Sequence, residues 1–413
     1  MARKKVARKK RSKRINRRRK KVVFLVMDGL ADLPINGKTP LSEANKPNMD
    51  WLAKNGMLGE IIPVPRKFWH DLTKASVSHL GNLGLLGYDV TRYFMKRGPL
   101  EAVGSGIPYQ LGWLALRCNF ATVDKNLEVV DRRVGRSTMG LDELARYVNE
   151  YVKIGAEFIF HRTFEHRAVL VIKEKLSDKI SNSDPYNPGQ KVHHVEALAP
   201  DAKKSAELVQ DFIDKARGVI EYHEINSQRI KNGMLPANYI LTREAGNTFP
   251  GLPNFPKKFK IRKAVAISEP GVMRATCMLA GMDTIAVPEA KQDYTLKFIF
   301  ENIENALADY DFVYAHMKGP DEPAHDGDFH KKRVAIEDID RQMAMFRNFD
   351  GIVVVSCDHI TSTLQRKHEY GAVPVLIFGR KKDKTKKFDE FNAKKGSLGL
   401  ITGAELWKFV FKK

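Results

Sequence analysis

Residues 22–30 read VVFLVMDGL: six consecutive large apolar residues, Val22 to Met27, followed by Asp28-Gly29. A continuous apolar run of this length, rich in valine, is the pattern of a strand buried on both faces, and the Asp-Gly pair marks the turn that follows it. Similar runs recur late in the chain at Phe312 to Ala315, Ile352 to Val355 and Val373 to Phe378. Between them lie segments with helical spacing, Leu296, Ile299, Ile303 and Leu307, then Ile336, Ile339, Met343 and Phe346. Strands alternating with amphipathic helices predict an α/β domain built on a parallel sheet.

The chain of 413 residues is 43% hydrophobic and 29% charged, a globular composition with length for a large core or two unequal domains. No apolar run approaches the ~20 residues that span a bilayer, so no membrane segment is expected. Cys118, Cys277 and Cys357 are far apart and form no CxxC, which argues against a disulfide framework and for a reducing, cytoplasmic setting. The formal charge of +21 is concentrated in the tail, MARKKVARKKRSKRINRRRKK, residues 1–21, which holds 14 Lys and Arg and no acid. The other 392 residues carry 56 basic against 49 acidic side chains, a net +7. Val6 and Ile15 are the tail's only large apolar residues after Met1, so it is expected to be disordered when free and to attract polyanions weakly, nucleic acid among them. It lacks the apolar stretch of a signal peptide.

The middle of the chain has another texture. Strand candidates at Trp113 to Phe120, Leu127 to Val130 and Ala168 to Ile172 are joined by helices at about Leu141 to Val152 and Ala202 to Val219. A polar loop, SNSDPYNPGQ, occupies residues 181–190, and a Pro- and Gly-bearing crossing occupies 246–260. The expected organisation is a tail at 1–21, a first part of the sheet domain at 22–112, a smaller α+β domain inserted at 113–256, and the rest of the sheet domain at 257–413.

Three predicted strands lead into acidic residues: VVFLVMD ends at Asp28, FVYAHMKGPD reaches Asp321, and IVVVSCD ends at Asp358. The carboxyl ends of strands form the ligand crevice of an open α/β sheet, so these side chains can converge there. Histidines lie close by, His325 four residues after Asp321, His359 beside Asp358, and His368 ten residues on. Oxygen and imidazole donors together suit Mn²⁺, Zn²⁺, Co²⁺ or Mg²⁺. A nucleophile is offered by SHLGNLGLLGYD, residues 78–89, where Ser78 opens an apolar helix-like stretch and would sit at a helix N-terminus.

These blocks give the chain a resemblance, from about Val22 onward, to the cofactor-independent phosphoglycerate mutases of the archaeal type, in the alkaline phosphatase superfamily. It is carried by residues 26–56, VMDGLADLPINGKTPLSEANKPNMDWLAKNG, and by SHLGNLGLLGYD, RGPLEAVGSGI, RCNFATV with DRRVGR, LAGMD, KGPDEPAHDGDF, and DH followed by HEYGAVP, all in the expected order. The resemblance implies an alkaline-phosphatase-like core with an inserted cap. It also implies a two-metal site, with Asp28, Ser78, Asp358 and His359 on one ion and Asp321, His325 and His368 on the other. Mn²⁺ leads among the divalent ions. The implied activity interconverts 3-phosphoglycerate and 2-phosphoglycerate through a phosphoserine at Ser78, with no bisphosphoglycerate required.

In the insert, Asp131, Arg132, Arg133 and Arg136 form a compact cluster whose guanidinium groups can clamp carboxylate and phosphate. The resemblance implies substrate binding there, with Asp131 handling glycerate hydroxyls or proton transfer. Arg117, Asn119, His166 and Arg167 are further candidates, and Lys318 and Asn82 are expected phosphate contacts. Three places depart from the family pattern: His79 stands where Asp is expected, HITST (359–363) replaces a Pro-containing loop, and Glu-Tyr-Gly-Ala follows His368. Two other readings of the chain are a phosphomonoesterase, or a mutase for another phosphate ester, on the same metal site, and a nucleic-acid-binding protein acting through the tail. The oligomeric state is not encoded in these patterns.

Overall fold

The computed structural model describes residues 20–66 and 77–411; the disorder expected of the tail concerns positions that, up to residue 19, lie outside them. Eight strands form one sheet in the spatial order Gly399–Thr402, Gly56–Ile62, Val373–Phe378, Ile352–Ser356, Val22–Met27, Phe312–Met317, Ala264–Ser268 and Asp283–Ala286. Val22–Met27 lies at its centre, parallel to both neighbours and fully buried, as its unbroken apolar run requires. One strand departs from the parallel expectation. Val373–Phe378 runs antiparallel to both Ile352–Ser356 and Gly56–Ile62, because an apolar run carries no information on direction.

The registers Val22↔Phe312 and Val22↔Ile352 align the three central strands end to end. Their carboxyl ends, after Met27, Met317 and Ser356, therefore make one rim, and their amino ends make the opposite rim about 20 Å away. Trp407, on the helix Gly403–Phe411, anchors the core beneath the sheet. Its ring sits 5.2 Å from Phe24, 5.2 Å from Phe255 and 5.6 Å from Phe312. Its indole N–H donates to the Leu85 carbonyl at 2.9 Å and so fixes the helix Val77–Leu85.

The strands between residues 113 and 246 pair only with one another. Trp113–Val123 is central, antiparallel to Arg167–Lys175 and Tyr239–Gly246, with Phe158–Phe164 and Val129–Asp131 at the edges. The helices Leu141–Tyr151 and Lys203–Ile220 cover one face over a core that includes Leu116, Cys118, Phe120, Leu170 and Phe212. Phe158–Phe164 and Tyr239–Gly246 are strands that the sequence patterns do not announce. Among the described residues no helix is long and apolar enough to cross a membrane, and all three cysteines are buried free thiols.

The other face of the small sheet meets the helix Arg97–Gly104, where Ala102 packs with Ala115, Val169 and Val171. Contact here is backbone to backbone. A methyl group on Gly98 would stand 2.0 Å from the Ala115 carbonyl oxygen, so only glycine permits the approach. Gly98→Ala is expected to lower stability by about 1–3 kcal/mol in urea titration, through separation of this helix from the small sheet. An unchanged midpoint would show that the two surfaces separate freely.

Candidate active site

The large sheet delivers its acidic residues to the carboxyl rim. Asp28 follows the first strand directly, Asp358 follows Ser356 by two residues, and Asp321 opens the short helix Asp321–Asp326 just past Met317. That helix sets His325 one turn after Asp321, with Nε2 3.5 Å from Oδ2. His368 reaches the same carboxylate, at 3.3 Å, from a two-stranded ribbon in which Thr361 pairs with His368. Two donor sets result, Asp28 with Asp358 and His359, and Asp321 with His325 and His368, the atoms of each lying within 4.8 Å of one another.

The chemistry of these sets fits divalent cations. His325 Nε2 and His368 Nε2 face each other at 2.9 Å beside Asp321, a convergence of lone pairs that a cation satisfies better than a shared proton. Thr361 Oγ1 donates to Asp321 at 2.6 Å and stands 3.0 Å from His359 Nδ1, leaving His359 Nε2 to face Asp28 at 3.0 Å. Burial opposes charge on His359, yet Asp358, Asp28 and Asp321 outweigh it and push its pKa up to about 10. Burial tends to raise the pKa of Asp321, but hydrogen bonding and attraction from the surrounding histidines hold its carboxyl well below the usual range.

Ser78, half-buried in the first turn of the helix Val77–Leu85, has its Oγ 3.0 Å from His359 Nε2. The helix rests on the loop that carries Asp358: a methyl group on Gly81 would stand 2.1 Å from the Asp358 carbonyl oxygen. Asn82, one turn after Ser78, donates to the Ser78 carbonyl at 2.8 Å and to Asp358 Oδ2 at 3.0 Å, and its own carbonyl accepts from Tyr314. Its amide thus holds Asp358 in place, a use its spacing from Ser78 does not reveal. His79 is buried, and burial together with Arg97 lowers its pKa to about 3, so it stands uncharged beside Ser78.

The small sheet adds a group of cations. Arg117 and Arg243 are paired across adjacent strands, and Arg117 is buried with Nε and Nη1 lacking hydrogen-bond partners. The Nε atoms of Arg97 and Arg167 are likewise unpartnered. Like charges at paired strand positions are unfavourable, and buried donors without acceptors are costly, so the arrangement is complementary to an anion. Lys318 reaches toward the small sheet, 3.8 Å from both Glu165 and Glu269 and 4.6 Å above the Phe164 ring. His166 is lowered to about 2 by burial and by Arg167 and Arg133.

The cluster at 131–136 is differentiated. Arg132 holds the buried Asp184 through two hydrogen bonds, and Asp131 accepts from the Arg133 backbone N–H. Arg136 bridges to Glu322 and Asp326, on the same short helix as Asp321 and His325. Arg133 is exposed and makes no ion pair among the described residues. Asn119 Nδ2 donates to the Arg132 carbonyl at 3.3 Å. Sequence spacing missed Arg97 and Arg243, the buried His316 (3.7 Å from Asp358) and Lys332. Only Arg97 carried a signal, as the first residue of RGPLEAVGSGI.

Lys332, fully buried, donates to Asp32 at 3.0 Å and to the carbonyls of Ala31 and Thr361 at 3.0 and 2.8 Å, clasping the loops that carry Asp28 and His359. Lys332→Met leaves Asp32 buried without its cation and is expected to cost about 3–5 kcal/mol in urea titration. A loss well under 1 kcal/mol would show that the clasp does not hold these loops.

Comparison with known proteins fits this arrangement. Residues 53–226 match a family model described as 2,3-bisphosphoglycerate-independent phosphoglycerate mutase. A protein of that name from Archaeoglobus fulgidus is 38% identical over 403 residues, covering 93% of this chain and 96% of that one. Its namesake from Methanosphaera stadtmanae is 36% identical over 405 residues, covering 94% and 96%. The solved structure of a cofactor-independent phosphoglycerate mutase from Thermoplasma acidophilum is 31% identical with a TM-score of 0.61, covering 95% of this chain and 98% of that one. A Pyrococcus horikoshii protein superposes with a TM-score of 0.74 at 28% identity, covering 95% and 96%. Relatedness at this level across nearly the whole of both chains makes this protein a member of the archaeal-type 2,3-bisphosphoglycerate-independent phosphoglycerate mutase family.

Proposed function

We propose that the protein interconverts 3-phosphoglycerate and 2-phosphoglycerate in the cytoplasm, without bisphosphoglycerate, through a phosphoserine at Ser78. The observation that carries this reading is Ser78 Oγ 3.0 Å from His359 Nε2, beside two Asp/His donor sets and opposite a sheet rich in guanidinium groups. Asp28, Asp358, His359 and Ser78 would hold one divalent cation, and Asp321, His325 and His368 the other, with Mn²⁺ favoured over Mg²⁺, Co²⁺ and Zn²⁺. When bound, such cations lower the serine pKa and offset phosphoryl charge.

Ser78 Oγ gives up its proton and attacks phosphorus, the bond from phosphorus to the glycerate oxygen breaks, and the departing oxygen takes up a proton. The other glycerate hydroxyl then attacks the phosphoserine, gives up its proton and restores Ser78. Asp131 serves this proton exchange, and Arg117, Arg133, Arg136 and Arg167, with Lys318, hold carboxylate and phosphate. Arg132, tied to Asp184, shapes the loop from which Arg133 projects, while Asn82 orients Asp358. Retaining glycerate between the two transfers requires excluding water, the role assigned to the insert, residues 113–256, as a cap. Residues 1–21 take no part in this reaction.

The decisive assay strips the purified protein of metal, restores Mn²⁺ and follows 2-phosphoglycerate and free phosphate together from 3-phosphoglycerate. Metal-dependent 2-phosphoglycerate is expected, falling more than about a thousandfold in Ser78→Ala. Free phosphate as the sole product would replace the mutase with a phosphomonoesterase.

Metal loading should also release protons. In the metal-free protein His359, with a pKa of about 10, is protonated at neutral pH, and binding through Nε2 displaces that proton. Affinity for Mn²⁺ should therefore rise with pH from 6 to 8. Titration calorimetry at pH 7 in buffers of different ionisation enthalpy should report about one proton or more released per chain. A binding enthalpy independent of buffer would remove His359 from the ligand set.

A further inference from the structure

We infer that the amino rim of the large sheet, opposite the catalytic crevice, is a nucleic-acid-binding face that grips phosphodiester backbone without reading sequence. The register of the central strands fixes where this surface lies. Val22 donates to the Asp311 carbonyl, Asp311 to the Lys263 carbonyl, and Ile352 to the Lys21 carbonyl, so residues 21, 263, 311 and 351 meet at one edge. The antiparallel strand Val373–Phe378 ends at the same edge, since Phe378 pairs with Val353 and Gly56, and the chain continues there into residues 379–387.

Two of the segments reaching this rim are strongly basic, and the acids beside them, Asp311 and Asp350, are each met by one cation, Arg262 and Lys20. Residues 257–263 carry five cations and no acid, all five exposed, and residues 380–387 carry six cations and one acid. That acid does not neutralise its neighbours. Asp383 is turned inward, its carboxylate accepting from the backbone N–H groups of Leu58, Ser397 and Thr385. These bonds, with Asp383 N–H donating to the Gly56 carbonyl, pin the loop to the sheet. Lys381, Lys382, Lys384, Lys386 and Lys387 are exposed on that pinned loop, and no ion pair among the described residues involves them. The chain also enters the fold here: Lys20 and Lys21 sit at this rim, and the 19 residues before them hold 12 more cations and no acid.

So dense a set of cations, on an anchored loop and on a basic tail whose last residues, Lys20 and Lys21, reach the same edge, matches a polyanion whose charges are equally dense. Nucleic acid carries a phosphate about every 1.7 Å of duplex axis, and each neutralised phosphate adds to the salt dependence of binding. An anionic membrane suits the surface less well, because Val6 and Ile15 are the tail's only large apolar residues after Met1 and no helix among the described residues is long and apolar enough to cross a membrane. The crevice with its own arginines lies at the other rim, about 20 Å away, so the two anion sites are separate.

The test is fluorescence anisotropy of the full-length, Mn²⁺-loaded protein with a short labelled RNA, a labelled DNA duplex, and phosphatidylserine vesicles, over a range of KCl. Binding to RNA, DNA or both is expected, with a steep salt slope and no displacement by saturating 3-phosphoglycerate. The variant with Lys381, Lys382, Lys384, Lys386 and Lys387 all changed to Gln should bind about tenfold more weakly or worse, with a slope shallower by roughly 4 and unchanged phosphoglycerate turnover. The same five positions changed to Arg should keep full affinity, which separates loss of charge from loss of fold. A second variant, with Lys9, Lys10, Arg11, Lys13 and Arg14 changed to Gln, should weaken binding likewise. Tighter binding to vesicles than to either nucleic acid, displacement by 3-phosphoglycerate, or an unaltered salt slope in the loop variant would each overturn the inference.

Discussion

Three carboxylates brought into one crevice repel one another, and the surroundings of Asp28, Asp321 and Asp358 are arranged against that repulsion. Burial and then the charge of Asp321 raise the pKa of Asp28, yet the net effect is a lowering, because the hydrogen bond and attraction of His359 and the attraction of His316 outweigh both. His316 illustrates the other side of the balance. Burial works against its charge, but Asp358, Asp28 and Glu269 push it up to about 9. Protonated His316 and His359 are the countercharge to these carboxylates.

The same constraint explains why positioning residues are so rigidly held. A carboxylate among carboxylates lowers its energy by swinging away, and two of the three are tethered by hydrogen bonds: Asp358 by Asn82 and the Gly29 N–H, and Asp321 by Thr361. The HITST segment, residues 359–363, supplies part of this tethering. Thr361 joins the two donor sets, and Thr363 donates to Asp32, the partner of Lys332. These two threonines therefore orient Asp321, His359 and Asp32 from a single short segment.

How much of this could be read in advance depended on whether a residue's role is local. Asp28, Asp358 and Ser78 announce themselves because each follows or opens an apolar run, and runs of that kind order themselves in a parallel sheet. Asp321, His325 and His368 required only short spacings from those ends. Arg243 and Lys332 were illegible for the opposite reason. Arg243 acquires its meaning from the register that sets it against Arg117, and Lys332 from packing that brings residues 31, 32 and 361 around one ammonium. The direction of Val373–Phe378 was hidden too, since alternation and apolarity are the same read forwards or backwards.

That antiparallel strand has a consequence for the distribution of charge over the molecule. Had Val373–Phe378 run parallel to its neighbours, its carboxyl end and the six cations that follow would have emerged at the catalytic rim, beside Asp28 and Asp358. Lysines there would compete with substrate for the carboxylates and with metal for its ligands. By reversing one strand, the fold sends residues 379–387 to the far edge and leaves the crevice with cations from the small sheet, Arg97 and Lys318. Those residues are held by packing and by Glu165, Glu244 and Glu269, so they face the anion site from fixed positions. The segregation of a pinned set of guanidinium groups from an exposed set of lysines without ion pairs thus follows from strand direction.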